Sequence, residues 1–434
     1  MNLFVVGAGY VGLTTAAVFA RLGHTVVVHD VDERRIETLN AGRSPIFEPG
    51  VEEAVRAGLA NDSLRFTADP AAPDSTDVAL VCVPTPTAPD GLLDISAVES
   101  VIVGLRRRLP PDRTIAVRST LPLDGPERLE AYADAGGPAL LINPEFMREG
   151  SALADAGRPS RVVIGWLRPE HQPQAERLAD LYAPLGAPKL VADARSVVLL
   201  KLTSNVFLAA KIAFANELAR ISDAIGANVS TVADGLGLDP RIGRSFLEAG
   251  PGFGGSCLPE QAQAISVEAA TRSLKTPLMS SIALANEVHQ AEIARTVAAR
   301  LPDDSPRVAL LGLAFKANTG DVRNSPALAL ARELRSLGAS VVGYDPVAEL
   351  PSSARDLETA QTAVDAAKGA DAAVVVTEWA EFRDLDWPAL ARVMRGRLIY
   401  DTRRIVDAGA VRAAGLDYVG LGQAASELVE PART

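Results

Sequence analysis

Short apolar runs alternate with glycines and helix-length periodic stretches at the start of the chain. Residues 3–6 are continuously apolar, a helical pattern follows to about Leu22, and a second β-branched run covers Thr25–His29. Short unbroken apolar runs are typical of strands buried on both faces, and a period near 3.6 is typical of the helices that cover them. This pattern predicts a strand, a helix and a second, parallel strand.

The turn after the first predicted strand is rich in glycine. It reads Gly7-Ala8-Gly9-Tyr10-Val11-Gly12, and Asp30 closes the second strand. In this arrangement Gly7 makes the turn, Gly9 admits a pyrophosphate, and Gly12 lets the helix pack on the strand. Asp30 is placed for a ribose diol, which favours NAD, although Arg35 nearby is also able to meet the 2′-phosphate of NADP.

Three later apolar runs predict further strands of the same sheet, at residues 77–83, 114–117 and 139–142. Cys82 lies in the first run and is interpreted as a core residue. Polar or turn-forming residues follow the three runs: Thr85 with Pro86, then Thr120, then Glu145. Open α/β sheets bind ligands outside the carboxyl ends of their strands, so Thr120 and Glu145 are expected to face a cofactor crevice. An alternative explanation for Glu145 is simple stabilisation at a helix N-terminus.

A different pattern begins near Ser196. Residues 197–225 are apolar-periodic without proline or glycine, which predicts one long helix, and residues 278–301 predict a second. Lys201 and Asn205 share a face of the long helix because they are four residues apart. An ammonium group and an amide at that spacing are able to stabilise an oxyanion. The alternative is that Lys201 and Asn205 belong to a solvent-exposed polar face of the helix.

After a break at residues 301–306, a second strand–glycine–helix–strand unit begins at Arg307. Residues 341–345 repeat the pattern of residues 26–30, and three more apolar runs supply further strands. The unit lacks the GxGxxG signature, so we expect it to bind a different ligand. Its candidate phosphate partners are Lys316, Arg323 and Arg403, each of which could also be an ordinary surface charge.

One of the two cysteines, Cys257, follows a glycine-rich stretch, Gly250-Pro251-Gly252-Phe253-Gly254-Gly255-Ser256. Glycines let a bound molecule approach the backbone closely, and a thiol at the end of such a loop can face a substrate. The alternative is a tight turn followed by an inert, buried cysteine.

Composition limits the class of protein. A length of 434 residues predicts two or three domains, and the formal charge of −11 argues against nucleic-acid binding. Two widely separated cysteines, the lack of a secretory signal at Met1 and the lack of a membrane-length apolar run predict a cytoplasmic protein. No metal site and no membrane partner are expected. The predicted fold class is α/β, with two Rossmann-like doubly wound parallel-sheet domains joined by a central helical domain with a long helix.

The chain resembles the UDP-glucose/GDP-mannose dehydrogenase family along nearly its whole length. The resemblance is carried by these motifs: Gly7-Ala8-Gly9-Tyr10-Val11-Gly12, Glu48-Pro49-Gly50, Val83-Pro84-Thr85-Pro86, Ser119-Thr120, Asn143-Pro144-Glu145-Phe146, Lys201 with Asn205, Asn216-Glu217, Arg241-Ile242-Gly243, the Cys257 loop and Gly312-Leu313-Ala314-Phe315-Lys316.

The resemblance implies three domains: an NAD-binding domain at residues 1–195, a central helical dimerisation domain at 196–302, and a nucleotide-sugar domain at 303–434. It implies oxidation of a C6 alcohol by NAD, attack of the Cys257 thiol on the aldehyde, a second oxidation to a thioester, and hydrolysis to a uronate. The catalytic residues implied are Cys257, Lys201, Asn205, Glu145, Thr120 and Gln261.

The implied binding residues fall into two sets. The cofactor set comprises Gly7, Gly9, Tyr10, Val11, Gly12, Asp30, Arg35, Thr85, Pro86, Thr120, Glu145 and Arg323. The substrate set comprises Phe146, Lys201, Asn205, Arg241, Phe253, Gly254, Gly255, Phe315, Lys316 and Arg403.

Two positions near the thiol depart from the family pattern. Glu260-Gln261 stand where Lys-Asp is usual, and the family's Asp is assigned to proton handling. Gln261 is able to hydrogen-bond a water but not to take its proton, and a carboxylate near Cys257 disfavours the thiolate. Smaller departures are Ser160 for Asp and Thr402 for Gly.

Three functions therefore stay open. The first is a dehydrogenase of the UDP-glucose type in which Glu260 or Glu145 replaces the lost acid. The second is a specialised enzyme that stops at the 6-aldehyde or acts on another sugar nucleotide. The third is a catalytically silent binder, against which the intact Cys257, Lys201, Asn205 and Glu145 argue.

Overall fold

The computed structural model describes residues 1–88, 91–134 and 136–423. These form two compact units: Met1–Ser204 with Ala264–Lys275, and Asn205–Gln263 with the described residues from Thr276 onward. Residues 424–434 of the predicted C-terminal domain lie outside the described part.

The first unit contains a sheet whose eight strands cover much of the first half of the chain. In chain order they are β1 (Asn2–Val6), β2 (Thr25–His29), β3 (Leu64–Thr67), β4 (Val78–Val81), β5 (Thr114–Val117), β6 (Ala139–Ile142), β7 (Val162–Trp166) and β8 (Lys189–Asp193). The spatial order is β3-β2-β1-β4-β5-β6-β7-β8, and among the pairings only β6 with β7 is antiparallel.

Helices lie between most of the consecutive strands, as is typical of a doubly wound sheet. They are α1 (Tyr10–Arg21), α2 (Glu33–Asn40), α3 (Val51–Ala60), α4 (Ser96–Arg106), α5 (Gly125–Glu130), α6 (Ala152–Gly157) and α7 (Gln172–Leu181). Leu3 and Val5 of β1 belong to the same buried cluster as Leu13 and Phe19 of α1. The strand order reverses direction between β1 and β4, so the carboxyl ends of these two strands form the expected ligand crevice.

Four helices follow the first sheet: α8 (Ala194–Ile225), α9 (Val229–Gly237), α10 (Cys257–Thr271) and α11 (Pro277–Ala298). The predicted long helix is therefore observed, and it begins three residues earlier than the pattern indicated. Within the described residues, α8 is the one helix with the length and composition of a membrane span, which long core helices of soluble proteins share.

The second unit contains a six-stranded, wholly parallel sheet. Its elements are β9 (Arg307–Leu311), α12 (Pro326–Ser336), β10 (Ser340–Tyr344), β11 (Glu358–Thr359), α13 (Ala363–Ala367), β12 (Ala372–Val375), α14 (Trp387–Val393), β13 (Leu398–Asp401), α15 (Ala408–Ala413) and β14 (Asp417–Gly420). The strand order is β11-β10-β9-β12-β13-β14.

Both faces of this second sheet are covered. Val308 and Leu310 of β9 belong to one buried cluster, whereas the alternating Ala309 and Leu311 belong to another. Successive side chains of a strand point to opposite faces, so two cores flank one sheet. The predicted fold class, with two Rossmann-like sheets and a long central helix, is confirmed.

Candidate active site

The glycine turn between β1 and α1 is shaped by close backbone contacts. Gly7 has φ +105°, and a Cβ there would lie 2.6 Å from the carbonyl oxygen of Cys82. A Cβ on Gly12 would lie 1.8 Å from the carbonyl oxygen of Gly7, so only glycine lets α1 begin this close to the turn. A Cβ on Gly9 would meet no described atom within 4 Å, which leaves the N-terminus of α1 open to an anion.

Asp30 lies beside that turn at the end of β2. Its Oδ2 accepts a hydrogen bond from the backbone N–H of Ala8 at 2.7 Å and lies 3.5 Å from Nη1 of Arg35. The second sheet repeats the arrangement, because Oδ2 of Asp345 accepts hydrogen bonds from the N–H groups of Leu313 (2.8 Å) and Ala314 (2.9 Å). The sequence echo between the two units therefore has a structural counterpart.

The other predicted cofactor residues of the first unit follow strands that border the switch point. Thr85 and Pro86 lie in the loop after β4, and Thr120 lies just after β5. The hydroxyl of Ser119 donates to the carbonyl of Val83 at 2.6 Å, which ties these two loops together. Tyr10 begins α1, and its hydroxyl donates to the carbonyl of Phe47 at 3.2 Å.

Glu145 and Lys201 form a buried ion pair within the first unit. Nζ of Lys201 lies 2.8 Å from Oε1 of Glu145 and 2.6 Å from the Glu145 carbonyl oxygen, and the two side chains are 5% and 10% exposed. Burial raises the pKa of Glu145, but the charge and hydrogen bond of Lys201, the Met147 N–H and the charge of Arg118 together outweigh burial, so the net pKa lies below its ordinary value. Glu145 is therefore a carboxylate held by an ammonium group.

Phe146 follows Glu145 and packs between cations. The Arg161 guanidinium lies 3.9 Å from the Phe146 ring centroid, and Nζ of Lys201 lies 5.3 Å from it. Both distances fall within the range of cation–π attraction. The structure thus brings three predicted site residues, Glu145, Phe146 and Lys201, into one cluster.

The glycine-rich stretch before Cys257 is held from several sides within the second unit. The N–H of Gly250 donates to Oδ1 of Asn216 at 2.8 Å, and the Gly250 carbonyl lies 2.7 Å from Nε2 of His289. Asn286 binds the N–H of Phe253 at 2.9 Å and its carbonyl at 3.1 Å. These bonds fix the backbone of the loop and satisfy its buried polar groups.

The end of the loop is fixed by segments of the second sheet domain. Gly255 has φ +79°, and a Cβ there would lie 3.0 Å from the Phe315 ring. A Cβ on Gly254 would lie 2.5 Å from the carbonyl oxygen of Asn324. The Asn324 amide donates to the Gly255 carbonyl at 2.9 Å. Close backbone approach therefore explains both glycines.

Cys257 is exposed and is the first residue of α10, whereas Cys82 is buried and its pKa is raised by burial to about 12. The partial positive charge of a helix N-terminus favours an anion at this position. Glu260 lies in the same first turn and acts in the opposite direction. The cysteine at the end of the loop is thus presented to solvent, and the alternative of an inert, buried cysteine is not what the structure shows.

Gln261 lies one helical turn beyond Cys257 and is almost fully buried, at 4% exposure. Its Oε1 accepts a hydrogen bond from Nδ2 of Asn205 at 2.9 Å. The structure therefore joins two predicted catalytic residues of the second unit, and the partner of Asn205 is a neutral amide.

The remaining predicted substrate residues differ in their surroundings. The Arg403 guanidinium lies 2.9 Å from the Val376 carbonyl oxygen and 3.0 Å from Glu378, and Lys316 lies 5.3 Å from the Phe315 ring centroid. Arg241 is an exposed side chain paired with Asp239. Phe253 of the same set has a buried ring. Arg323, which is predicted for the cofactor set, is paired with Asp321.

Sequence reasoning missed two of the side chains that hold the cysteine loop. Asn286 and His289 are buried and lie three residues apart on α11. Two polar side chains on one face of a largely apolar helix could have indicated that they bind a neighbouring segment. Burial lowers the pKa of His289 to about 4, and its Nδ1 has no hydrogen-bond partner among the described residues. Arg404 was missed as well, although it adjoins the predicted Arg403.

Comparison with known proteins agrees with this architecture along the whole chain. Residues 1–186, 195–288 and 309–408 match the NAD binding domain, the central domain and the UDP binding domain of the UDP-glucose/GDP-mannose dehydrogenase family. The protein is thus an NAD-dependent oxidoreductase built on two Rossmann-like domains. The chain belongs to the UDP-glucose/GDP-mannose dehydrogenase family, and it is a nucleotide-sugar dehydrogenase.

Individual relatives cover nearly the full length of the chain. The UDP-glucose 6-dehydrogenase of Rhizobium meliloti is 38% identical, with 98% of this chain and 100% of the relative covered. That of Haloferax volcanii is 40% identical, covering 97% and 100%. A solved UDP-glucose dehydrogenase from Pyrobaculum islandicum superposes with a TM-score of 0.84 at 35% identity, covering 98% of each chain.

Proposed function

We propose that the protein is a UDP-glucose 6-dehydrogenase that forms UDP-glucuronate through a covalent adduct on Cys257. The observation that carries the proposal is the exposed thiol at the start of α10, directly after a loop whose backbone is held on several sides. Several relatives of similar length bear this activity in their names. A fixed, exposed thiol at a helix N-terminus is suited to nucleophilic attack.

The first sheet offers a cradle for NAD. The open N-terminus of α1, the close-packed turn at Gly7 and Gly12, and the carboxylate of Asp30 fit a dinucleotide, and Arg35 balances the charge of Asp30. Tyr10 and Val11 begin α1, Thr85 and Pro86 follow β4, and Thr120 follows β5. These residues are proposed to complete the site. When bound, NAD would accept two electrons in each of two successive oxidations of the sugar, so two molecules of NAD would be consumed per sugar.

We assign the proton transfer to Glu145 and the stabilisation of negative charge to Lys201 and Asn205. Glu145, ionised and held by Lys201, is proposed to take a proton from the substrate, directly or through water. Cys257 then adds to the aldehyde carbon, and the oxygen of the adduct gains negative charge. Lys201 and Asn205 carry N–H donors suited to that oxygen. A second oxidation leaves a thioester on Cys257, which water hydrolyses to the acid and the free thiol.

The second sheet domain is proposed to bind the nucleotide part of the substrate. Arg403, Lys316 and Arg323 are the cationic candidates for the phosphates, and Phe315 with Gly254 and Gly255 forms a close-packed wall beside the thiol loop. Arg241 and Phe146 are further candidates for the sugar nucleotide.

A second candidate function is favoured by one contact. Oε1 of Gln261 accepts the hydrogen bond from Asn205, so an uncharged amide stands where the family pattern has an acid. An amide cannot remove a proton from the attacking water. This favours an enzyme with slow thioester hydrolysis, which accumulates the acyl-enzyme.

We also propose that the protein is a homodimer. Phe207, Phe214 and Ile221 of α8 recur every seven residues and are 66%, 51% and 54% exposed. Large apolar side chains repeated at this spacing form a stripe that is typical of helix–helix association. We therefore assign the stripe to contact with a second copy of this chain.

The substrate is tested with a panel of nucleotide sugars. Purified protein is incubated with NAD and UDP-glucose, UDP-N-acetylmannosamine or GDP-mannose, and NADH absorbance is combined with product mass. We expect UDP-glucose to give the largest kcat/KM and a product with the mass of the uronate. NADH formation with another sugar alone would assign a different substrate, and no NADH with any sugar would support a silent binder.

A further inference from the structure

The turn after β13 places two consecutive arginines with one buried carboxylate. Oδ1 of Asp401 accepts hydrogen bonds from the backbone N–H groups of Arg403 (2.9 Å) and Arg404 (2.7 Å), and its Oδ2 accepts one from Val406 at 2.9 Å. Asp401 is fully buried. The backbone positions of the two arginines are therefore set by the same side chain.

Arg404 adopts a backbone conformation that is unfavourable for its residue type. Its φ is +54°, in the left-handed region that glycine and asparagine tolerate best. Such a conformation costs free energy and persists only where surrounding contacts hold it. The guanidinium supplies those contacts, since it donates to the carbonyls of Ala249 at 2.8 Å and Leu421 at 3.2 Å and is 8% exposed.

The neighbouring Arg403 lies beside Gly250, the residue that follows Ala249. Its Nη1 lies 3.2 Å from the position that a Cβ on Gly250 would occupy. Arg404 thus binds Ala249, and Arg403 lies beside Gly250, which is the first residue of the glycine-rich loop before Cys257.

We propose that Arg404 is a positioning residue that couples the nucleotide-binding turn to the thiol loop. The inference rests on the proposed function, in which phosphates of the substrate engage Arg403. A nucleotide that engages Arg403 stabilises the turn at residues 401–406. Because the Arg404 side chain of this turn donates a hydrogen bond to the Ala249 carbonyl, the segment at Ala249 is stabilised as well. Binding of the nucleotide part of the substrate then raises the reactivity of the Cys257 thiol before the sugar reacts.

The test measures the rate at which iodoacetamide alkylates Cys257, with and without UDP. UDP carries the phosphates but no sugar, so it leaves the position of the sugar empty. Cys82 is buried, so alkylation is expected at the exposed Cys257, and the peptide masses verify the site. The variants are Arg404→Asn, which keeps a residue suited to positive φ, Arg404→Lys, which keeps a cationic donor, and Arg397→Asn as an exposed control in the same domain.

In the wild type and in Arg397→Asn, UDP is expected to raise the alkylation rate. Without UDP, Arg404→Asn is expected to alkylate about fivefold more slowly than the wild type, which matches the loss of one hydrogen bond, and UDP is expected not to change its rate. Arg404→Lys is expected to restore part of both effects. UDP affinity, measured by calorimetry, is expected to weaken by no more than about fivefold, because Arg403 is unchanged and the coupling that is lost is that of one hydrogen bond.

An unchanged rate in Arg404→Asn without UDP overturns the inference, as does a UDP response equal to that of the wild type. If Arg404→Asn does not fold, as judged by its melting curve, Arg404→Lys decides by the same two rates. Failure of UDP to bind the wild-type protein contradicts the proposed function instead, and the rates without UDP still decide the positioning role.

Discussion

Nδ2 of Asn205 donates a hydrogen bond to Oε1 of Gln261 at 2.9 Å, so two neutral amides pair one helical turn away from Cys257. The pair leaves Asn205 with its second N–H and its carbonyl oxygen for other partners. It also fixes the acceptor oxygen of Gln261 toward Asn205. Neither side chain is able to take a proton from water. Thioester hydrolysis is therefore the step of the mechanism on which the replacement of the family's Asp by Gln261 has the largest effect.

Replacing Gln261 with Asp is expected to speed hydrolysis of the thioester. A carboxylate keeps the acceptor for Asn205 and adds a group that removes a proton from water, and general-base catalysis is worth roughly a hundredfold or more. We expect at least about a tenfold faster release of uronate in single-turnover experiments, since the shorter side chain is not ideally placed. The matched control is Gln261→Asn, because asparagine has the same side-chain length as aspartate and no charge. If Gln261→Asp is no faster than Gln261→Asn, another base already serves this step.

Replacing Lys201 with Met is expected to destabilise the fold and abolish turnover. It leaves the Glu145 carboxylate buried without its counter-charge, which costs about 3 kcal/mol of unfolding free energy at neutral pH. Glu145 has a lowered pKa in the wild type, so its contribution is present above the ordinary carboxyl pKa and is lost as the pH falls through the folded pKa. In Lys201→Met, burial instead raises that pKa.

The difference in unfolding free energy between wild type and Lys201→Met is therefore expected to be largest near neutral pH and to shrink in acid. Urea unfolding at a series of pH values measures it. The control is Lys211→Met, because Lys211 lies on the same helix and its Nζ donates to the backbone carbonyls of Ile242 at 3.2 Å and Gly243 at 3.3 Å. A pH-independent difference for Lys201→Met would show that Glu145 is not ionised by Lys201.

His289 is expected to make the protein less stable in mild acid. Its pKa is lowered to about 4 by burial, and the charge of Arg220 acts in the same direction, while the bond to the Gly250 carbonyl opposes both. The unfolded chain binds a proton near the ordinary histidine pKa, so this contribution to stability is present above that pKa and is lost as the pH falls toward 4. The loss amounts to up to about 3 kcal/mol.

Replacing His289 with Gln tests this directly, because glutamine retains an N–H donor and does not titrate. We expect the unfolding free energy of His289→Gln to fall less steeply than that of the wild type as the pH drops. Parallel curves for the two proteins would refute the assignment of a neutral, buried imidazole.

The apolar stripe of α8 is expected to control the oligomeric state. Phe214→Asp places a charge in the middle of the proposed dimer contact, where burying an unpaired charge is costly. We expect light scattering to give the mass of a dimer for the wild type and of a monomer for the variant. Leu337→Asp, at a comparably exposed leucine outside the stripe, is the control. A dimeric Phe214→Asp protein would place the interface elsewhere.

The elements that could be predicted from sequence were those with strong local signals. The strands Thr25–His29, Thr114–Val117, Ala139–Ile142 and Arg307–Leu311 were predicted to the residue, because each is a short, largely apolar run next to glycine or a polar turn. Strands β3, β7, β8 and the two-residue β11 were missed. Strand β8 is partly exposed at the sheet edge, and Lys189 and Asp193 give it no continuous apolar run.

The site divides in the same way. The glycine turn, Glu145 and Cys257 stand in motifs that are local in sequence. The contacts of Ala249 with Arg404 and of Gly250 with His289 join segments 155 and 39 residues apart, and nothing in the local pattern specifies such pairs. The buried pairing of Lys201 with Glu145 was missed for the same reason, although both residues had been singled out.

The most direct test of the account counts the NADH formed per UDP-glucose consumed, in the wild type and in Cys257→Ser. Dehydrogenation through a thioester predicts two NADH and one UDP-glucuronate per sugar for the wild type, and no uronate for Cys257→Ser. Wild-type yields of uronate in Cys257→Ser would contradict covalent catalysis by this thiol.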